Sequence, residues 1–202
     1  MRPFTVHTGS AAPLRRSDVD TDQIIPGRFC ATHGRTGYAD GLFGDWRADP
    51  GFVLNRPPHQ GATILVAGEN FGTGSSREHA VWALQDYGFR VVLAPRFADI
   101  FRANSLMGGL LTVTLPQATV DELWDLLDAL PDTVITVDLE QMSVRWRARV
   151  EPFSLDGDTR ARLLSGASPI DSTLRFARDI EDYEQRRRPH LPVSTDARVS
   201  PL

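Results

Sequence analysis

Short apolar runs separated by glycine or proline recur through the middle of the chain. ATILVAG (62–68) and RVVLA (90–94) are short, apolar and rich in β-branched residues, which predicts buried strands. GLLTVTL (109–115) predicts a further strand. TVITVDL (133–139) and SVRWRARV (143–150) instead alternate apolar and polar residues, which predicts two further strands around a turn.

Between these runs, apolar residues recur at helical spacing. The segment from Arg77 to Tyr87 predicts one helix, and apolar positions between 97 and 104 predict a short second one. TVDELWDLLDAL (119–130) predicts the clearest helix, with Thr119 as its N-cap and Glu122 completing a capping box. Strands and helices that alternate in this way predict an α/β domain.

The chain shows no internal repeat and no linker before its last residues. We therefore predict one domain over residues 1–185. From residue 186 onward the sequence is rich in arginine and proline and has no period, so residues 186–202 are predicted to form a disordered tail.

Composition removes several classes of function. The 202 residues are 41% apolar, enough for a hydrophobic core, and the net charge of −4 gives no basic footprint for nucleic acid. No segment has the roughly 18 consecutive apolar residues of a membrane span, and the N-terminus lacks the apolar region of a secretory signal. We therefore expect no nucleic acid, no membrane and a cytoplasmic location.

The residue types that are missing are equally informative. All 22 basic residues are arginines, so the chain offers no lysine for a Schiff base or for a Walker-type phosphate site. The single cysteine, Cys30, excludes an intrachain disulfide and any all-cysteine metal or iron–sulfur site in this chain. We expect no metal site here, and any metal in the reaction should be held mostly by another chain.

The glycine-rich stretch GENFGTGSSREH (68–79) precedes a predicted helix but fits neither the dinucleotide fingerprint nor the Walker pattern. One interpretation is structural: Ser75 and Glu78 form a capping box, and the glycines let the chain turn. The other is chemical. A helix start favours negative charge, so Ser75 could act as a base while Arg77 holds a carboxylate. His79 fits a structural role better than a catalytic one.

The segment SDVDTDQIIP (17–26) imitates the beginning of a calcium loop. The imitation fails, because Gln23 stands where the loop needs glycine and Phe29 where it needs glutamate. Two interpretations remain open: an Asx-rich turn before a strand edge at Ile24 and Ile25, or the polar lip of an active site.

Five stretches together resemble the small subunits of 3-isopropylmalate dehydratase, a branch of the aconitase family. They are DVDTDQIIP (18–26), RTGYADGLFGDW (35–46), FVLNRP (52–57), GENFGTGSSREHAVWALQDYGF (68–89) and RFADIFRANS (96–105). The resemblance spans about residues 4–185. It implies an aconitase-type swivel domain, in which a β-barrel-like mixed sheet is flanked by helices.

The resemblance also implies a reaction and a partner. Such a subunit closes over a large subunit that carries a [4Fe–4S] cluster, and the pair interconverts 2-isopropylmalate and 3-isopropylmalate by dehydration and rehydration in leucine biosynthesis. Carried over to this sequence, Ser75 is the general base, and Ser76 and Arg77 bind a carboxylate of the small dicarboxylate substrate. Asp22 is an active-site polar residue. In the substrate-selecting loop 27–37, Arg35 is an anion contact and Phe29 an apolar wall.

Two departures concern the substrate. The loop after IIP reads GRFCATHG (27–34) and lacks the leucine and lysine of the usual segment, and a C-terminal glycine-rich turn reads GASPIDSTL (166–174). Two alternatives therefore stay open beside the leading one. The chain could serve a related dehydratase that takes another alkylmalate, citraconate or homoaconitate, or it could be an anion-binding module without catalysis.

Overall fold

A mixed sheet of seven strands forms the centre of the computed structural model, which describes residues 1–31 and 34–187. The strand order is β4-β3-β2-β1-β5-β6-β7. The strands are β1 (Val6–Leu14), β2 (Ile64–Ala67), β3 (Val91–Ala94), β4 (Leu111–Thr114), β5 (Val134–Asp138), β6 (Ser143–Trp146) and β7 (Arg149–Pro152). The first four pair in parallel and the rest are antiparallel, so the predicted mixed sheet is confirmed.

The described residues form seven helices. They are α1 (Thr21–Ile24), α2 (Glu78–Tyr87), α3 (Asp99–Gly108), α4 (Gln117–Ala129), α5 (Gly157–Ser165), α6 (Pro169–Leu174) and α7 (Ala177–Arg186). Short 3₁₀ turns lie between α1 and β2. None of the described helices is both long and apolar enough to cross a membrane.

Strands β2 and β3 are covered on both faces, which explains their continuous apolar sequence. Leu65 and Val92 belong to one core cluster, together with apolar residues of α2. Ile64 and Val91, their neighbours in sequence, belong to a second cluster with apolar residues of α4. On that side the Trp124 indole donates a hydrogen bond to the carbonyl of Val66, at 2.9 Å.

Strand β1 joins the two halves of the sheet, and the sequence pattern did not predict it. Its first residues pair antiparallel with β5, whereas Ala11 to Leu14 pair parallel with β2. Gly9 and Pro13 interrupt the apolar pattern that normally identifies a strand. Glycine is needed at position 9, because a Cβ there would lie 2.0 Å from the Thr63 hydroxyl oxygen.

The carboxyl ends of β1, β2 and β3 lie side by side at one edge of the sheet, since the three strands are parallel neighbours. Each end leads directly into one of the segments that the sequence singled out: 16–22 after β1, 68–77 after β2 and 96–101 after β3. Open α/β sheets bind ligands at this edge. The topology therefore brings these three segments together.

Two boundaries differ from prediction. Helix α4 begins at Gln117 with Pro116 as its N-cap and no side-chain cap, so Thr119 lies inside the helix and its predicted capping role is wrong. The run 143–150 divides into β6 and β7, because Arg147 adopts a left-handed turn with φ 49°.

The chain divides into two units, residues 1–168 and 169–202. The first contains the sheet and α1 to α5, and the second contains α6 and α7. The single domain over 1–185 stays a prediction. Arg186 ends α7, and residues 188–202 of the predicted tail lie outside the described residues.

The free energy of unfolding should distinguish Asp156, which caps α5, from Thr119, which does not cap α4. Asp156 caps α5 by accepting a hydrogen bond from the Thr159 amide at 2.8 Å. Asp156→Ala should lower the free energy of unfolding by about 1 kcal/mol. Thr119→Val should change it by less than about 0.5 kcal/mol, because the Thr119 hydroxyl has no hydrogen bond among the described residues. Urea unfolding of the three proteins makes the comparison, and equal losses would contradict the assigned helix start.

The same cap predicts a pH dependence. The hydrogen bond from the Thr159 amide lowers the pKa of Asp156. A carboxyl with a lowered pKa in the folded state contributes stability above its unfolded pKa of about 4, and this contribution is lost as the pH falls through the folded value. The difference between wild type and Asp156→Ala should therefore be full near neutral pH and shrink in acid.

Candidate active site at the carboxyl ends of the parallel strands

The glycine-rich loop 68–76 is hydrogen-bonded along one side to the segment that follows β1. The backbone bonds are Gly68 N to Arg16 O (3.0 Å), Asp18 N to Glu69 O (2.8 Å), Gly72 N to Val19 O (2.8 Å) and Thr21 N to Thr73 O (2.9 Å). The Thr21 hydroxyl adds a bond to the carbonyl of Ser75, at 2.9 Å. The two motifs that the sequence singled out are therefore parts of one structure.

On its other side the loop contacts the segment that follows β3. The Phe71 amide donates to the Arg96 carbonyl at 3.1 Å, and the Ala98 amide donates to the Phe71 carbonyl at 3.0 Å. The Phe101 ring lies over Gly72, where an added Cβ would come within 2.2 Å of it, and Gly72 has φ +81°. Only glycine meets both conditions, so the loop conformation depends on this residue.

Ser75 and Ser76 lie at the edge of a cavity of about 260 Å³. Thr21, residues 72–77 and residues 98–101 line it. Both serines are exposed, and among the described residues neither hydroxyl has a hydrogen-bond partner. The Ser75 carbonyl accepts the hydrogen bond from Thr21, while both hydroxyls remain available to a ligand.

The capping-box interpretation of Ser75 is wrong in this structure. Helix α2 begins at Glu78, its N-cap is Arg77, and no side chain caps it. The amide groups of its first turn are therefore not satisfied by a side chain, and they add to the positive end of the helix dipole. Ser75 and Ser76 lie next to this end, where negative charge is stabilised.

Arg77 forms an ion pair with Asp22 of α1 through its Nη1 atom. The Arg77 side chain is 27% exposed and the Asp22 side chain 57% exposed, so the pair lies at the surface of the site. Asp22 is held in place because Asp20 and Gln23 form a capping box around α1. The structure thus brings together Asp22, Ser75, Ser76 and Arg77.

The segment around Asp22 is a helical turn and not a strand edge. Asp20 caps it, which agrees with an Asx-type turn, but Ile24 ends the turn as a buried residue of α1. The predicted strand edge at Ile24 and Ile25 is therefore wrong. The polar lip of the other interpretation corresponds to Asp22.

A second, more open cavity of about 560 Å³ lies on the other side of Arg77. Its lining is Gly27, Cys30, Ser76, Arg77, Glu78, His79 and Trp82. The His79 ring packs edge-on against Trp82, with 4.9 Å between ring centres, and against Tyr38. His79 therefore helps to hold the wall of this cavity by aromatic packing. Ser76 and Arg77 border both cavities.

The two predicted residues of the loop 27–37 occupy different environments. The Arg35 guanidinium carbon lies 5.9 Å from the Trp82 ring centre, beside a residue that lines the second cavity. Phe29 packs against Gly41 and Gly44, where an added Cβ would lie 2.7 Å and 2.6 Å from it. Phe29 lines neither cavity, and it fixes the loop to the core. Residues 32 and 33 of this loop lie outside the described residues.

Known proteins match both the sequence and the fold. The Aconitase C-terminal domain family matches residues 1–118. The 3-isopropylmalate dehydratase small subunit of Thermobifida fusca is 60% identical over 194 residues, which is 96% of this chain and all of that protein. That of Streptomyces coelicolor is 58% identical over 192 residues, covering 95% of this chain and 98% of the relative. The chain belongs to the family of 3-isopropylmalate dehydratase small subunits.

A solved structure of the same family confirms the predicted fold. The crystal structure of 3-isopropylmalate dehydratase from Methanocaldococcus jannaschii superposes with a TM-score of 0.62 at 26% identity. The match covers 89% of this chain and 99% of that one. The mixed sheet with its flanking helices is therefore the fold of the small-subunit family.

Sequence reasoning missed three residues of the site in this family member. Thr21 stands between the two aspartates that were noticed, but its bond to the Ser75 carbonyl requires the fold. Trp82 lies five residues after Arg77 on α2, and Cys30 was considered only as a metal ligand. Burial raises the pKa of the Cys30 thiol, while Arg77 acts to lower it and Asp22 to raise it.

The thiol of Cys30 therefore reports on the charges of the site. Because burial raises its pKa, Cys30 should react with iodoacetamide more slowly near pH 7.5 than an ordinary cysteine does. Asp22→Asn should lower its pKa and speed the reaction, whereas Arg77→Gln should raise it and slow the reaction. Asp158→Asn, in the first turn of α5, is the control.

Mass spectrometry of labelled chain against time and pH gives the four rates, for wild type, the two variants and the control. Labelling in denaturant, which should be equal in all variants, corrects for intrinsic reactivity. Equal rates for Asp22→Asn, Arg77→Gln and wild type in the folded state would contradict the placement of Cys30 beside this ion pair.

Proposed function

We propose that the chain is the small subunit of a two-subunit hydro-lyase that isomerises 2-isopropylmalate and 3-isopropylmalate in leucine biosynthesis. One observation carries the proposal. The free hydroxyls of Ser75 and Ser76 and the guanidinium of Arg77 border one cavity at the start of α2. The names of the relatives support the same function, since the aligned chains correspond over almost their full lengths.

Ser75 is the proposed general base. The positive end of α2 and the nearby Arg77 guanidinium both favour the alkoxide over the hydroxyl. In the dehydration, Ser75 takes the proton from the carbon next to the carbon that bears the hydroxyl. The electron pair of that C–H bond forms the double bond, and the hydroxyl leaves with its own pair. Rehydration at the other carbon reverses these steps and gives the isomer.

Arg77 is the proposed carboxylate ligand, with Ser76 beside it. Asp22 contacts Nη1, so the other guanidinium nitrogens can face a bound dicarboxylate. The ion pair also restrains the long arginine side chain before substrate arrives, which reduces the entropy lost on binding. Asp22 is therefore a positioning residue for Arg77 in this proposal. Arg35, beside Trp82, would contact the second carboxylate.

The substrate's alkyl group would occupy the second cavity. The Trp82 ring and the Cys30 side chain give this cavity apolar surface next to Arg77. Phe29, which sequence analysis favoured as the apolar wall, packs against Gly41 and Gly44 instead. We therefore assign the alkyl contact to Trp82 and Cys30, and we assign to Phe29 the role of holding the loop.

A large-subunit partner completes the proposed enzyme. One cysteine cannot hold a four-iron cluster, and no group of three or more potential metal ligands occurs among residues 1–31 and 34–187. A [4Fe–4S] cluster on the partner would supply the Lewis acid that polarises the departing hydroxyl. Residues of this chain would contribute the base and the carboxylate contacts. We place the assembled enzyme in the cytoplasm.

The purified chain should be inactive alone. It should bind no stoichiometric iron and show no conversion of 2-isopropylmalate, because it lacks cluster ligands. Iron analysis and a spectrophotometric assay of the enoic intermediate test this, and addition of the reconstituted large subunit should restore turnover. Turnover by the isolated chain would refute the two-subunit account.

The role of Ser75 has its own test in the reconstituted complex. Ser75→Ala should lower kcat by about 10² to 10⁴-fold, the usual contribution of a positioned base. The melting temperature should stay unchanged, because Ser75 caps no helix here. Ser154→Ala, an exposed serine outside both cavities, is the matched control and should keep full activity. Full activity of Ser75→Ala in an assembled complex would exclude it as the base.

A further inference from the structure

A separate cavity lies at the start of the chain, beside the end of the sheet where β1 begins. It has a volume of about 280 Å³ and is lined by residues 2–7 and Arg90. It shares no lining residue with the two cavities beside Arg77. None of its lining residues takes part in the proposed reaction.

The ionisable groups of this cavity are all basic. Arg2 and Arg90 line it together with His7, and no carboxylate is among the lining residues. Within the described part of the chain, neither arginine forms an ion pair. Two guanidinium groups facing one space without a counter-charge repel each other, and burial increases this cost.

The pKa shifts of Arg90 and His7, which are both partly buried, agree with this arrangement. Burial, followed by the charge of Arg2, lowers the pKa of Arg90. Burial, followed by the charges of Arg90 and Arg2, lowers the pKa of His7. No carboxylate is among the causes of either shift. An anion between the arginines would act in the opposite direction on both groups.

The backbone holds these residues in place. The Met1 amine donates to the Gly166 carbonyl at 2.8 Å, and the Phe4 amide donates to the Leu163 carbonyl at 2.9 Å. The side chain of Phe4, between Arg2 and His7 in sequence, is buried. The backbone of Arg2 therefore lies between two hydrogen-bonded residues, and its side chain is exposed.

Contacts with Thr63 and Phe4 fix the other two basic residues, Arg90 and His7. The Arg90 amide donates to the Thr63 carbonyl at 2.8 Å, and its guanidinium carbon lies 5.8 Å from the centre of the Phe4 ring. One imidazole nitrogen of His7, Nε2, lies 2.7 Å from the Thr63 hydroxyl oxygen. Prepositioned cations of this kind lose little conformational entropy when an anion binds.

We propose that this cavity is a binding site for a small oxyanion with at least two negative charges, such as inorganic phosphate or a short dicarboxylate. Two guanidinium groups offer paired N–H donors that match the oxygens of a phosphate or carboxylate group. The limited volume fits one such molecule. The site is independent of the reaction at Ser75, because the lining residues differ.

The thermal stability of the purified chain tests the site. Its melting temperature is measured against the concentration of potassium phosphate, and separately of malonate, at pH 7.5 and at ionic strength held constant with potassium chloride. A ligand that binds only the folded state raises the melting temperature in a saturable way. We expect a rise of about 3 to 6 °C at ten times the dissociation constant for at least one of the two anions.

Matched arginine variants locate the effect. Arg90→Gln should abolish the saturable rise. Arg2→Gln should keep the rise but increase the dissociation constant of the anion about tenfold. Arg147→Gln removes the same charge from an exposed turn outside the cavity and should keep the rise. Arg77→Gln should also keep it, since that variant removes the cation of the candidate active site.

Several results would overturn the proposal. The first is that neither anion raises the melting temperature of the wild type in a saturable way. The second is that Arg77→Gln loses this rise, and the third is that Arg90→Gln and Arg147→Gln lose it equally. If Arg90→Gln does not fold, Arg2→Gln alone decides, and an unchanged affinity in that variant counts against the site.

A direct measurement is available at His7. The imidazole resonances of His7, followed by NMR across pH, should show its pKa rising when phosphate or malonate is added, because an anion offsets the charges of Arg90 and Arg2. His59, which is buried and bonded through Nδ1 to the Ala11 carbonyl, is the control and should not respond. A His7 titration unchanged by either anion refutes the proposal.

Discussion

The backbone hydrogen bonds along both sides of the loop 68–76 are the constraint on which the rest of the site depends. One row joins the loop to residues 16–21, and two further bonds join Phe71 to residues 96–98. This pairing gives hydrogen-bond partners to the backbone of the buried part of the loop, Phe71 and Gly72, and fixes its conformation. Ser75 and Ser76 follow this fixed part, and the Ser75 carbonyl accepts a further bond from Thr21. A loop without these neighbours would place Ser75 in many positions.

The sheet topology makes this pairing possible. Three segments distant in sequence meet because β1, β2 and β3 are parallel neighbours whose carboxyl ends share one edge. Strand β1 must therefore lie inside the sheet, and it does so by pairing with β2 through one half and β5 through the other. The antiparallel strands complete the sheet beyond β1 and contribute no residue to the candidate site. The segments of the candidate site thus follow β1, β2 and β3, whereas β5, β6 and β7 only complete the sheet.

Arginine supplies the positive charge throughout the chain, and its surroundings differ from place to place. Arg77 is restrained by Asp22 at the mouth of two cavities. Arg35 lies against Trp82, and Arg28 pairs with Asp45 at the surface. Arg90 instead lies over Phe4 without a carboxylate partner among the described residues. The same side chain is therefore held in an ion pair, packed against an aromatic ring or left without a carboxylate partner, according to which residues lie beside it.

The sequence by itself determined the elements with continuous or periodic patterns. Strands β2 to β6 and helices α2 to α4 follow from apolar runs and helical spacing, and the SSREH motif identified Ser75 to Arg77 and the family. Only the tertiary structure decided the position of β1, whose pattern Gly9 and Pro13 interrupt. It also decided that Arg77 pairs with Asp22, that Trp82 and Cys30 line a cavity, and that Phe29 packs against Gly41 and Gly44. The pattern of apolar and polar residues along the chain predicts which residues of a strand or helix are buried. The tertiary contacts join residues that are distant in sequence and come together only after the sheet has formed.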